Sequence, residues 1–138
     1  MLPIYSISRF ITKVYKPYLD DLGLTYPQYL VLMVLWKNNE LAVSQISGKL
    51  LLNTNTLSPL LKRIEKMKLL ERNRSSKDER SVTVLLTQKG KQLKTKALPI
   101  PEKLIKTLIS EDIKMSEIIQ LKETLNEWIK LLTKNTKD

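Results

Sequence analysis

Residues 53–94 carry eleven basic side chains against four acidic ones, whereas residues 1–52 carry five against three and residues 95–138 eight against seven. The middle third therefore holds most of the formal charge of +10. Ammonium and guanidinium groups at this density favour a polyanion, because each phosphate they neutralise releases condensed counterions. A lysine-rich surface that only keeps the chain in solution is the plainer reading of the same charge. A membrane-surface helix would need a strong apolar face beside the charges. The surroundings favour the polyanion: Thr54, Asn55, Thr56 and Ser58 stand just before Lys62 and Arg63. Short polar side chains reach base edges or phosphate oxygens, and Lys or Arg reaches the backbone or a guanine. Asn and Thr also cap helices, and Lys and Arg coat exposed faces, so it is the combination that points to DNA.

The residue types that are missing narrow the chemistry further. With no cysteine and no histidine in 138 residues, thiolate nucleophiles, imidazole bases, disulfides and the usual zinc ligands are absent from this sequence. No Gly-rich phosphate loop or Asp-x-Asp run appears either, so no cofactor, no metal and no catalytic residue is expected, and the chain is not expected to be an enzyme. Residues Met1 to Ser8 lack the pattern of a signal peptide, and the apolar run Tyr29 to Trp36 is too short to cross a bilayer. The expectation is a cytoplasmic protein without a membrane partner. Its length suits one domain able to bury a core without staples.

Such a charged segment must be positioned by elements that the hydrophobic pattern makes legible. Ile4, Ile7, Ile11, Val14 and Tyr18 recur at steps of three and four, predicting an amphipathic helix from Pro3 to Asp21 that Gly23 ends. Tyr26 to Asn38 is apolar nearly all round and predicts a buried central helix. Leu41 to Val43 reads as extended, with Ser44 as N-cap of a short helix over Gln45 to Leu51. Asn53 to Thr56 offers caps for a helix ending at Lys68, with Leu57, Leu60, Leu61, Ile64 and Met67 on one face and the polar and basic residues on the other. Pro59 suits only the first turn or so, which predicts that this helix begins shortly before it.

Two strands follow, Leu69 to Arg74 and Ser81 to Thr87, joined by a loop over residues 75–79. A helical stretch opens at Thr87, breaks around Pro99 and Pro101 and resumes to Ile109. A last helix over Asp112 to Thr133 places Ile118, Leu121, Leu125, Trp128 and Leu132 on a heptad-like seam.

A short helix, a polar turn, a helix with a basic outer face and a basic hairpin make the order of a winged helix-turn-helix: mainly α, with a small β wing. The second helix enters the major groove, so the candidate DNA contacts are Ser44, Thr54, Asn55, Thr56, Ser58, Pro59, Lys62 and Arg63, with Arg74, Lys77 and Arg80 from the wing. Asp78 is a candidate to pair with Arg80 and stiffen the wing. The terminal stripes can pack within one chain. The favoured reading is an intermolecular seam of Ile4, Ile7, Ile11, Leu121, Leu125, Trp128 and Leu132, because a twofold homodimer sets two recognition helices about one DNA turn apart on a palindromic operator. Residues 1–138 then form one domain, with a core and connecting helix over 26–98 and dimerisation helices at 1–22 and 100–138.

The stretch from Tyr15-Lys16-Pro17 through Leu24-Thr25-Tyr26-Pro27-Gln28-Tyr29-Leu30 resembles the MarR family. Leu57-Ser58-Pro59-Leu60-Leu61-Lys62-Arg63-Ile64-Glu65 and Arg74-Ser75 through Asp78-Glu79-Arg80-Ser81-Val82 resemble its organic hydroperoxide resistance regulators and their staphylococcal-type relatives. The resemblance spans nearly the whole chain. It implies a homodimeric winged-helix repressor dimerised through its terminal helices, with the recognition helix and the wing arginine, Arg80, at the DNA.

In that branch the sensor is a cysteine fourteen residues before one tyrosine and twenty-five before another, and here the tyrosines match Tyr15 and Tyr26. Both counts land on Met1, whose thioether forms neither thiolate nor sulfenic acid. Four explanations stand open: a start placed too late, lost redox sensing, a small ligand sensed in the cleft between the dimer and DNA-binding parts, or oxidation of Met1 to its sulfoxide. Met1, Tyr15 and Tyr26 are accordingly candidate effector-pocket residues, with both tyrosines alternatively plain core.

The function expected is a sequence-specific regulator of transcription, a repressor released when an effector shifts the spacing of its recognition helices. A winged-helix adaptor that uses its basic face on an acidic protein is the first alternative, and a carboxylate- or lysine-based enzyme the second.

Overall fold

The computed structural model describes residues 1–74 and 82–136. They form α1 (Leu2–Asp21), α2 (Tyr26–Asn38), β1 (Glu40–Ala42), α3 (Val43–Leu50), α4 (Thr54–Lys66), β2 (Leu70–Arg74), β3 (Val82–Leu86), α5 (Gln88–Ala97), α6 (Pro99–Ser110) and α7 (Met115–Asn135). This is the expected winged helix-turn-helix, mainly α with a small sheet. The chain divides into two compact units, Met1–Ile100 and Pro101–Asp138.

In the first unit, α1 ends where Gly23 takes φ +72, with Leu24 N–H donating to the Leu19 carbonyl and Gly23 N–H to that of Asp20. A left-handed residue just past a helix closes its last carbonyls in this way, and glycine adopts it without a Cβ clash. The next helix starts at once. Thr25 accepts from the Gln28 N–H, and the buried Gln28 side chain accepts from the Thr25 N–H in return, a reciprocal cap that fixes the start of α2. As its apolar run requires, α2 is the centre of the unit: Val31, Leu32 and Leu35 are fully buried, and α1, α3, α4, α5 and the sheet all pack on it.

The extended piece at Leu41 proves to be a third strand. The antiparallel order is β1-β3-β2, with Leu41 opposite Val84 and Leu70 opposite Leu86, so that Leu41, Leu70, Val84 and Leu86 are all buried. The two-residue alternation of β3 puts Val84 and Leu86 on the inner face.

Five local expectations are corrected. Ser44 is not an N-cap: α3 begins at Val43, Ala42 holds the cap position, and the Ala42 N–H donates to the Gln45 side chain. The helix starts two residues early because Ala42 completes β1 and turns directly into α3. Next, α4 begins at Thr54, and Pro59 is its sixth residue, beyond the first turn. Asn53 provides the reason by accepting from the Thr56 N–H at 2.9 Å, which anchors a start well upstream of the proline. The same helix ends at Lys66 because Lys68 turns left-handed at φ +63.

Pro101 breaks nothing, since the chain turns only at Leu98 and both prolines fall in the first turn of α6, where a missing N–H has no partner to lose. Finally, α7 starts at Met115 rather than Asp112. Asp112 is the left-handed residue closing α6, with Ile113 N–H on the Leu108 carbonyl and Asp112 N–H on that of Ile109. In the second unit α7 runs for 21 residues without burying one of them.

Candidate nucleic-acid interface

The helix that presents the polar residues is held from beneath by its own leucines. Leu57, Leu60, Leu61 and Ile64 are buried, and α4 packs on α2, α3 and β2. Because helical residues repeat every 3.6 positions, this turns Asn55, Thr56, Pro59, Lys62, Arg63 and Lys66 outward, and all six are exposed. Thr54 is exposed and Ser58 half-buried at the rim. Pro59 has no N–H to offer the Asn55 carbonyl, so the exposed first part of α4 lacks that helical hydrogen bond. Ser44, second residue of α3, is exposed.

The wing strand lies alongside. β2 pairs with β3 through Arg72 opposite Val84 and Arg74 opposite Val82, and Arg74 is exposed at the end of the strand. Lys77, Asp78 and Arg80 lie outside the described residues.

Two sets of ties, neither read from the sequence, fix the C-terminal end of α4. Arg72 donates from Nη2 and Nε to Glu65 Oε1 at 3.0 and 3.3 Å, and its backbone N–H donates to Oε2 at 3.2 Å. The Arg72 hydrogen bonds hold the Glu65 carboxyl below its ordinary range. Beyond the helix, Lys89 donates to the Met67 carbonyl at 3.2 Å and the Thr87 hydroxyl to that of Lys68 at 2.6 Å. Gly90 must be glycine here, since a Cβ would stand 2.1 Å from the Leu69 carbonyl oxygen. Trp36 Nε1 donates to the Gly90 carbonyl at 2.9 Å, tying this junction back to α2.

The comparisons with known proteins agree on what carries such a unit. Residues 13–97 match the family described as transcriptional regulator SarA/Rot. An organic hydroperoxide resistance transcriptional regulator of Bacillus subtilis is 44% identical over 128 residues, covering 90% of this chain and 87% of its own. The transcriptional regulator SarZ of Staphylococcus saprophyticus is 34% identical over 91% of this chain and 84% of its own. Among solved structures, reduced AbfR bound to DNA superposes with a TM-score of 0.76 at 32% identity, over 96% of this chain and 90% of that one. The chain belongs to the SarA/Rot family of transcriptional regulators.

The sensor cysteine that the resemblance implies has no counterpart, because none of the 138 residues is cysteine. The two matched tyrosines do lie together. Tyr15 and Tyr26 stand 6.0 Å apart between ring centroids, Tyr29 lies 5.9 Å from Tyr15 and 6.2 Å from Tyr26, and Trp36 extends the cluster at 6.2 Å from Tyr29. Burial raises all three tyrosine pKa values, that of Tyr29 to about 12 with a further push from the neighbouring phenolates.

Met1, in contrast, is almost wholly exposed at the far end of α1, about 21 Å along the helix axis from Tyr15. Within one chain the structure brings Tyr15 and Tyr26 together and leaves Met1 apart. A cavity of about 280 Å³ opens between α1 and α2, lined by Thr12, Lys16, Leu19, Asp20, Leu24, Thr25, Tyr26 and Pro27. Tyr26 lines it and Tyr15 backs Tyr26.

The candidate seam is uncovered in both units. Ile4 and Ile7 on α1 are exposed, as are Leu121, Trp128 and Leu132 on α7, while Ile11 and Leu125 are half-buried. Among the described residues, no helix is long and apolar enough to cross a membrane.

Proposed function

We propose that the protein is a homodimeric, sequence-specific double-stranded-DNA-binding regulator of transcription, working in the cytoplasm as a repressor. The observation that carries this reading is the division of α4 into four buried aliphatic residues and an outer face of short polar and basic side chains, beside a wing strand that ends in exposed Arg74. Relatives of this architecture bind DNA, AbfR among them. Asn55, Thr56 and Arg63 read base edges in the major groove. Thr54, Ser58 and Lys62 position α4 on phosphates with Ser44 of α3, and Pro59 keeps the turn at Asn55 open. From the sequence, Lys77 and Arg80 follow Arg74 into the wing contact, with Asp78 steadying Arg80.

The dimer supplies what α7 lacks. A 21-residue helix with no buried residue draws little stability from its own unit, and an exposed Leu121, Trp128 and Leu132 stripe is matched by itself in a twofold-related copy. The stripe of Ile4, Ile7 and Ile11 on α1 joins the same seam. Two recognition helices about 34 Å apart then face successive major grooves of a palindromic operator.

With no cysteine in the sequence, release from DNA is assigned to a small molecule rather than to a thiol. The cavity beside Tyr26 is the site proposed for it, with Tyr15 behind. Binding there favours one spacing of the recognition helices over another by its differential affinity for the two states.

The test is fluorescence anisotropy on a duplex from the region upstream of the protein's own reading frame, in a salt series and with random competitor DNA. Tight binding that falls steeply with salt and survives the competitor is the expected result. Failure to bind duplex DNA even at low salt would overturn the reading in favour of a protein-binding adaptor.

A further inference from the structure

The acidic residue of the recognition helix stands out. Glu65 lies on α4 between Ile64 of the buried face and Lys66 of the basic face, in a segment proposed to approach phosphates. Coulomb's law alone says that a carboxylate there weakens DNA binding and that its removal strengthens it. Yet both of its oxygens are committed to one residue of the wing: Oε1 accepts two guanidinium N–H groups of Arg72, and Oε2 accepts the Arg72 backbone N–H. A pair at the surface contributes little free energy by its charges alone. Three hydrogen bonds to one residue, one of them to main chain, do something else: they fix both the separation and the angle between α4 and β2.

That strand needs fixing from this side. β2 is an edge strand, bonded only to β3, and its Glu71, Asn73 and Arg74 are exposed. Two residues beyond the tie, the strand delivers Arg74. Leu69 and Leu70 anchor the strand's beginning in the core, but past Leu70 none of its residues is buried, and Glu65 is the partner that holds Arg72 to the helix. The opposite end of the junction is pinned separately, through Lys89 and Thr87 to the carbonyls of Met67 and Lys68.

We infer that Glu65 and Arg72 are positioning residues for operator recognition: they lock the wing strand to the recognition helix so that both meet the DNA as one rigid surface. The inference rests on the reading of α4 and the wing as the DNA-binding surface. It makes Arg72, a basic residue in the most basic segment, a partner of protein rather than of phosphate. It also makes a negative charge beside the DNA favourable for binding. Specific binding demands both surfaces in register, whereas non-specific binding needs only charge.

The experiment compares wild type, Glu65→Gln, Arg72→Gln, the double variant and the charge-reversed pair Glu65→Arg with Arg72→Glu. Anisotropy on operator and random duplexes over a salt series is the readout, with thermal melts confirming that each variant is folded. Each single variant is expected to lose about five- to tenfold in operator affinity, and the double no more than either single, as two members of one interaction do. For Glu65→Gln the random-duplex affinity does not fall, since a negative charge is removed, so the loss is confined to the operator. The reversed pair recovers a substantial part of the loss, which a residue needed only for folding would not explain.

Operator binding by Glu65→Gln at or above wild-type affinity would overturn the inference. So would a salt slope that falls by about one for Arg72→Gln while Glu65→Gln is neutral, for that is the signature of a direct phosphate contact. Wild type that binds no duplex overturns the DNA-binding reading itself, an outcome separate from either of these.

Discussion

Helices α4 and α7 are both amphipathic, and the structure treats them in opposite ways. The apolar side of α4 is covered within its own chain, with Leu57, Leu60, Leu61 and Ile64 all buried. That of α7 is not, and Leu121, Trp128, Ile129 and Leu132 stand about half exposed or more. A helix whose hydrophobic side is already covered has only its polar side left to work with, which suits a surface for DNA. A helix whose hydrophobic side is open is asking for another protein surface. Under the proposed function, the same 3.6-residue pattern marks a reading element in one place and an assembly element in the other.

The sharpest way to break this contrast is to cut into each apolar side. Leu61→Ala removes a buried side chain under the recognition helix and should cost about 3 kcal/mol of folding stability, read as a lower denaturant midpoint at unchanged slope. Trp128→Ala takes away exposed surface of one chain. It should leave the first unit folded but weaken self-association by about 2 kcal/mol, the scale of a central aromatic anchor. Sedimentation of the variant over a concentration series measures this directly. An association constant equal to that of wild type would mean that the α7 stripe is covered by something other than a second copy.

Turning from the apolar to the polar side of α4, Arg63→Ala should weaken operator binding by about 1 to 3 kcal/mol while the dimer persists. An unchanged affinity in the anisotropy titration would remove Arg63 from the reading surface and shift attention to Lys62 and Lys66.

These contrasts also show what could be learned before any coordinates. Apolar patterning placed α1, α2, α4 and α7, because such a pattern is a one-dimensional signal, and the bounds of α2 came out as written. Starts and stops were harder. They turned on single hydrogen bonds, such as Asn53 accepting from Thr56, which moved the start of α4 a turn ahead of Pro59, or the left-handed Asp112, which delayed α7 to Met115. The third strand was missed as a partner because pairing Leu41 with Val84 is a contact across 43 positions that no local pattern announces.

Among site residues, the outward face of α4 was legible for the same reason as its core. The Glu65 to Arg72 tie was not. Seven residues separate them across a helix end and a turn, a spacing for which neither helix nor strand has a rule. Opposite charges flanking a predicted helix-to-strand junction are the signal in the sequence that points to it. Whether Met1 belongs with Tyr15 and Tyr26 was likewise beyond spacing, since fourteen residues along a helix separate rather than join them.

The aromatic cluster adds a smaller, pH-dependent difference between the units, for Tyr15, Tyr26 and Tyr29 all lie in the first. Each is a neutral phenol favoured by burial, so its folded pKa is raised above the ordinary 10.0. Stability from these groups is complete below pH 10 and is lost as pH rises from there toward about 12, the value for Tyr29, because the unfolded phenol ionises first. Denaturation midpoints between pH 9 and 12 should fall steadily, and the phenolate absorbance of Tyr29 should emerge last. If all five tyrosines ionised together near pH 10, the cluster would be open to water in solution.

The smallest effect expected is the most local. Glu65 has its folded pKa depressed by the Arg72 hydrogen bonds, so the tie contributes stability above the ordinary carboxylate value of 4.5 and loses it as pH falls through the depressed folded value. With both side chains partly in water, screening holds the contribution below about 1 kcal/mol. Comparing Glu65→Gln with wild type should show a slight deficit at pH 7 that closes in acid, where the wild-type carboxylate is itself protonated. Parallel stability curves at all pH values would mean that the pair is not formed in solution, and the wing strand would then be held to α4 only by the buried Leu69 and Leu70. A deficit that closes in acid, set beside a larger loss in operator affinity, would separate what the tie contributes to folding from what it contributes to alignment. The first would be small because water competes for both charges, and the second larger because two reading elements depend on one angle.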